Sequence, residues 1–170
     1  LATTYERCGD KATILLADAL KDTGFEQAAR SGISIGYDDI VIPDEKKEII
    51  EETEKSAEEI EQQYQNGLLS GGEKHNKLID LWQNTTDKIG DLAYTALEKT
   101  SGDNWNSVWM MAKSGARGSK RQIQQVAGMR GMMQKPDGSI IEVPIISNFK
   151  EGLTMAEYFT STHGARKGMS

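Results

Sequence analysis

The chain has 170 residues, long enough for one domain with a modest core, and its 37% hydrophobic and 27% charged content suits a globular or elongated helical protein. No apolar run approaches the roughly 20 residues of a membrane-spanning helix, and the polar start Leu1 to Arg7 is unlike a secretory signal. A formal net charge of -6 argues against a uniformly basic nucleic-acid binder, while the single Cys8 cannot form an internal disulfide, fits a reducing cytoplasm and argues against a zinc site.

Lys11 to Arg30 carries apolar residues at helical spacing (Ile14, Leu15, Ala19, Leu20, Ala28, Ala29), interrupted at Thr23-Gly24. Two short helices flanking that break are expected. Gly32 to Ile42 is β-branched with glycines and ends at Pro43, which reads as a strand or an extended loop.

Asp44 to Asn66 has the clearest helical signal. Pro43 and Asp44 suit a helix start, with Glu45 and Glu48 in the first turn. Ile50, Thr53, Ala57, Ile60 and Tyr64 form a narrow seven-residue seam. Asn66-Gly67 and Ser70-Gly71-Gly72 then break the helix. A second helix over Glu73 to Thr100 repeats the seam at Leu78, Trp82, Thr85, Ile89, Leu92 and Ala96. Two matched seams joined by a short turn predict an antiparallel coiled-coil hairpin, with Ile60 near Leu78 and Ile50 nearer Ile89. The narrow seams favour a projecting hairpin over one lying flat on a core.

Trp105, Val108, Trp109, Met110 and Met111 are candidate core residues where the chain returns to the body. Ala116 to Met133 predicts one helix or a pair of short ones. Lys135-Pro136-Asp137-Gly138 is a turn signal, and the alternating Ser139 to Ile146 suggests a short strand pair. Asn148 is placed to cap a last helix from Phe149 onward, weakened by Gly164 and Gly168 four residues apart. The expected fold is mainly α with small β elements: a helical hairpin projecting from a small α+β body and ending in part of a long helix. Four segments follow, at 1–43, 44–100, 101–148 and 149–170.

From Lys113 to Lys135 six basic residues occur with no Asp or Glu, so charge is segregated along this acidic chain. Guanidinium groups between glycines suit polyphosphate chemistry. No hydrolase triad can be assembled, since His75 and His163 are the only histidines. His75, among polar residues near the hairpin tip, is expected to face solvent. There is no P-loop spacing and no Asp cluster suited to two magnesium ions.

Longer words carry a resemblance. Asn106-Ser107-Val108-Trp109-Met110-Met111-Ala112-Lys113, Ser114 to Ser119, Ala127 to Met132, Lys135 to Glu142, Asn148-Phe149 and Ser161 to Gly168 resemble the β′ subunit family of bacterial RNA polymerase. The likeness extends back through Ala28 to Gly32 and Asp38 to Pro43, covering essentially the whole chain. It implies an internal segment of a much larger subunit, continuing at both ends. Residues 44–100 would be the rim helices of the secondary channel, through which nucleotides pass. Gre-type cleavage factors and DksA-like regulators would dock at the tip, on Tyr64, Asn66, Leu68, Leu69, Lys74, Asn76 and Lys77. Residues 112–135 would be the F-loop region, where Arg117 matches an arginine that reaches nucleotide phosphates. Residues 149–170 would begin the bridge helix, with His163, Gly164, Arg166, Lys167 and Gly168 as its hinge.

The same resemblance implies other RNA polymerase subunits (β, α, ω and σ), template DNA, RNA and nucleoside triphosphates as partners, no membrane, and a cytoplasmic, nucleoid-associated location. The family's Asp-rich magnesium motif lies upstream and is not in this chain, so the segment would hold no metal or catalytic residue and would not polymerise RNA alone. Many relatives have an arginine where this chain has Gln124; here Lys120 and Arg121 precede it. Inhibitor binding that depends on that arginine is therefore not carried over. Two readings from other classes are a stand-alone coiled-coil adaptor and a small RNA-binding module. The first leaves the Gly- and Arg-rich final third unexplained, and the second lacks interleaved aromatics for base stacking.

Overall fold

The computed structural model describes residues 1–103, 105–135 and 137–167, in two compact units, Leu1–Ile35 and Gly36–Ser170. The first unit is built on helix α1 (Ala2–Ser31), none of whose residues is buried. Its interruption falls at Gly9, where φ is 76°, and not at Thr23-Gly24, which is helical. An interior glycine costs about 1 kcal/mol against alanine. Ion pairs on either side of Gly24, Lys21–Asp18 at 3.3 Å and Arg30–Glu26 at 3.1 Å, offset part of that cost.

The second unit opens with a loop. Of the two forms expected for residues 32–42, the extended loop is found. The Asp39 carboxylate accepts the Gly36 N–H at 2.6 Å and pulls the chain into a turn. Helix α2 (Lys46–Gln65) and helix α3 (Gly71–Asp103) follow and pack together. Helix α3 starts earlier than expected because Ser70 and Glu73 form a reciprocal cap. The Glu73 carboxylate accepts the Ser70 N–H at 2.8 Å, and the Ser70 hydroxyl accepts the Glu73 N–H at 3.3 Å. The two glycines between them are thereby recruited into the first turn.

The hairpin is antiparallel and its register can be read from two contacts. Near the body, the Thr53 and Thr85 hydroxyls meet at 3.0 Å, each also bonded to its own helix, at Ile49 O and Leu81 O. Near the tip, Lys74 Nζ lies 2.5 Å from Glu61 and 4.8 Å over the Tyr64 ring. In this register Ile60 falls opposite Leu78, and Ile50 packs on the cluster that contains Ile89. The tip from Gly67 to Gly72 is exposed apart from half-buried Leu69.

At its base the hairpin merges with the body, so α3 is buried more broadly there than its seam suggests. Ile49, Trp82, Ile89 and Met129 form one core, and Ala93, Leu97, Ile123 and Ala127 another. The second is closed by helix α4 (Ser107–Ser114), whose Trp109 meets Tyr94 edge-on at 5.0 Å. Trp105, expected in the core, is 70% exposed. The buried position goes instead to Asn106, which caps α4 through the Trp109 N–H at 3.0 Å and donates to Asp39 O at 2.7 Å.

After α4, Ser119 caps helix α5 (Lys120–Ile123), which runs directly into a π-helical turn over Gln124–Gly128. β-structure among the described residues amounts to two isolated antiparallel bridges, Gly131–Ile145 and Gln134–Ile140. No strand pair forms over 139–146; Pro144 supplies no ladder N–H.

The last helix also starts later than expected. Asn148 does cap a turn, accepting the Glu151 N–H at 2.8 Å, but Gly152 at φ 88° ends that turn at once. A second cap follows. Glu157 and Thr154 exchange bonds, Thr154 N–H to the carboxylate at 2.9 Å and Glu157 N–H to the hydroxyl at 3.3 Å, and launch helix α6 (Met155–Lys167).

Candidate functional site

The residues that the resemblance assigns to docking lie in the hairpin turn and on the adjoining ends of α2 and α3. Leu68 is 73% exposed and Tyr64 41% exposed, while Asn66, Asn76 and Lys77 are exposed and Lys74 is half-buried against Glu61. The ion pair lowers the Glu61 carboxyl and raises the Lys74 amine, each chiefly through their shared hydrogen bond. A pair at the surface contributes little to stability, but it joins the two arms of the hairpin, with Lys74 also over the Tyr64 ring.

His75 does not simply face solvent. Its Nδ1 lies 2.8 Å from a Glu142 carboxylate oxygen, so the start of α3 is tied to the loop after the Asp137 turn. Nothing in the sequence spacing, 67 residues apart, signals that pair.

Arg117 stands away from the tip, in the turn between α4 and α5, exposed and bracketed by Gly115 at φ 74° and Gly118 at φ 90°. Its N–H donates to Met111 O at 3.4 Å, which anchors the turn to α4. Among the described residues no carboxylate lies within 4 Å of its guanidinium. The arrangement anchors the backbone of the turn and leaves the guanidinium exposed, a cation open to an anionic group.

Beyond Arg117, the cationic run lines a groove with α3. Lys120, Arg121, Arg130 and Lys135 form one side, and Asp87 and Asp91 of α3 the other. Lys120 pairs with Asp91, and that hydrogen bond raises the Lys120 amine. The basic wall was legible as an acid-free run, but its acidic counterpart comes from about thirty residues upstream. Gln124 also lines this groove, its side chain laid over Gly90 of α3.

The hinge assigned to 163–168 is reached only in part. The backbone from His163 through Lys167 is helical, while the side chains of His163, Arg166 and Lys167, and all of Gly168, lie outside the described residues. Among the described residues, no three His, Cys, Asp or Glu side chains gather as a metal site would require.

Two residues not singled out from the sequence organise the start of α6. The Glu157 carboxylate accepts the Ser147 N–H at 3.1 Å and the Ser147 hydroxyl at 2.8 Å, besides the Thr154 N–H and hydroxyl. Burial pushes this carboxyl up, yet the four donated bonds outweigh it and hold the group at about 2. Arg130 is the other. Its Nη1 donates to the Ser161 hydroxyl, and its guanidinium carbon sits 4.8 Å over the Phe149 ring. Desolvation lowers this guanidinium.

Comparison with known proteins adds to this geometry. Residues 41–150 match the family described as RNA polymerase Rpb1, domain 4. The chain is 50% identical, over 178 aligned positions, to the DNA-directed RNA polymerase subunit beta' of Methylibium petroleiphilum, and 49% identical over the same length to that of Leptothrix cholodnii. Each alignment takes in 99% of this chain, which spans about 13% of the length of these curated relatives.

Proposed function

Because the chain belongs to the RNA polymerase Rpb1 domain 4 family, we propose that it is the part of a β′ subunit that lines the secondary channel and begins the bridge helix during DNA-templated RNA synthesis. The observation that carries this reading is the near-complete coverage of the chain at about half identity to β′ relatives. The hairpin with its exposed tip supports the rim-helix assignment. The turn that presents Arg117 supports a contact with nucleotide phosphates.

In this account the hairpin is a docking post for Gre-type cleavage factors and DksA-like regulators. Arg117 meets the triphosphate of an incoming nucleotide and neutralises charge as pyrophosphate leaves. Helix α6 is the first part of the bridge helix, and its hinge at 163–168 couples active-site closure to movement of the template. The magnesium ions, template DNA, RNA and the β, α, ω and σ subunits are engaged by the assembled enzyme, with magnesium held outside residues 1–170. A free-standing adaptor would need only the hairpin. The family match running to residue 150 and the network that seats α6 both lie beyond it.

The docking role is tested by Asn76→Ala with Lys77→Glu in the full-length subunit, assembled with its partners. The ratio of factor-stimulated transcript cleavage to elongation should fall at least about fivefold, the equivalent of one lost contact of about 1 kcal/mol. An unchanged ratio, or equal loss of both activities, contradicts it.

A further inference from the structure

We propose that Arg130 is a positioning residue that seats the second turn of α6, and that this seating sets the turnover of the reaction; the second half of this inference rests on the function proposed above. Helix α6 is held to the body at two points one turn apart on one face. Glu157 binds Ser147 in its first turn. Ser161, one turn later and buried, receives the Arg130 Nη1–H. The two anchors share a frame, since the Arg130 N–H donates to Ser147 O at 3.3 Å. Arg130 and Ser147 therefore grip α6 from a single strip of backbone, 130 against 147.

The choice of arginine is informative. A half-buried guanidinium loses hydration, and among the described residues its buried Nε finds no hydrogen-bond partner. An aliphatic side chain would fill the same space without that penalty. What only a planar cation supplies is a donor to Ser161 together with a face laid on Phe149, at 4.8 Å. Phe149 belongs to the capped turn that precedes α6, and Ser161 to α6 itself, so one side chain fixes the angle between them. Arg130 also leaves the π-helical turn Gln124–Gly128 within two residues and lines the groove with Lys120 and Arg121. Displacement of that segment reaches α6 through this contact.

The test uses the full-length subunit in the assembled enzyme, with Arg130→Ala, Arg130→Lys, Ser161→Ala and the Arg130→Ala/Ser161→Ala double variant. Ser161→Ala deletes one hydroxyl and keeps the measurement possible should Arg130→Ala not fold. Amide hydrogen exchange over 158–162 should quicken about tenfold in Ser161→Ala and in both Arg130 variants. Nucleotide-addition kcat should fall about threefold to tenfold with KM within about twofold, and the double variant should be no slower than Arg130→Ala. Lysine should restore less than half of the lost rate. Unchanged exchange overturns the anchor. Faster exchange with wild-type kcat, a rise confined to KM, or multiplying effects in the double variant overturns the positioning role. A wild-type assembly that makes no RNA contradicts the proposed function, while the exchange data still judge the anchor.

Discussion

Among the glycines whose surroundings are described, Gly131 carries the most constraint. Its φ is 77°, and a Cβ there would lie 2.8 Å from Thr86 Cγ2 and 2.9 Å from Thr86 Oγ1. Thr86 cannot step aside, because it is buried in α3 with its hydroxyl bonded to Trp82 O at 2.6 Å. Gly131 also exchanges both backbone hydrogen bonds with Ile145 at 2.9 Å. Left-handed backbone for a non-glycine costs about 1–2 kcal/mol, and overpacking about 1–3 kcal/mol more. Gly131→Ala should therefore destabilise this chain by about 2–5 kcal/mol in urea unfolding. Gly90 is the contrast. Its Cβ would meet Gln124 Cγ at 3.0 Å, but Gln124 is a flexible side chain lining an open groove and can rotate away. Replacing an interior helical glycine by alanine gains up to about 1 kcal/mol, so Gly90→Ala should be near neutral. Equal losses at both positions would contradict this reading.

At the scale of elements, the start of α6 is a pH-dependent junction. The folded Glu157 carboxyl stands at about 2 against an ordinary 4.5. A depressed carboxyl gives stability that is fully present above 4.5 and lost as pH falls toward 2. With allowance for partial exposure, the contribution is about 1–2 kcal/mol. The junction should loosen between those limits, read as faster proteolysis or amide exchange at 147–160, and Glu157→Gln should remove most of that acid dependence. A junction equally protected at pH 2.5 and 6 would contradict the account. This junction was only half legible in the sequence. Asn148 announced a cap, but the chain holds two caps in series, and Gly152 decides that only the second is followed by a helix. The hairpin was far more legible, because its seams at Thr53 and Thr85 or at Ile50 and Ile89 follow directly from periodicity. Ser70-Gly71-Gly72 has the composition of a breaker, yet the Ser70–Glu73 cap draws both glycines into α3. Trp105 shows that bulk alone does not decide burial, whereas Asn106 has the polar partners that justify a buried place. The Arg130–Ser161 and His75–Glu142 contacts join residues 31 and 67 apart, which no local pattern encodes.

For the whole molecule, charge is sorted by position. Helix α2 turns a face of glutamates, glutamines and two lysines outward, while the run from Lys113 to Lys135 is free of acids and lines the groove beside α3. The proposed function assigns these two regions to different partners, proteins at the tip of the acidic hairpin and phosphates at the basic wall nearer the body. Arg117 is the residue at which this division is most directly measurable. The measurement is single-nucleotide addition by the assembled polymerase carrying Arg117→Ala, across nucleoside triphosphate concentrations. Loss of one charge-assisted contact, about 1.5–3 kcal/mol, predicts an apparent KM raised about tenfold to hundredfold if the contact forms on binding. A comparable fall in kcat is predicted if it forms only in the transition state, and lysine should restore little in either case. Wild-type kinetics at low nucleotide concentration would contradict the account and leave Arg117 as support for its own turn.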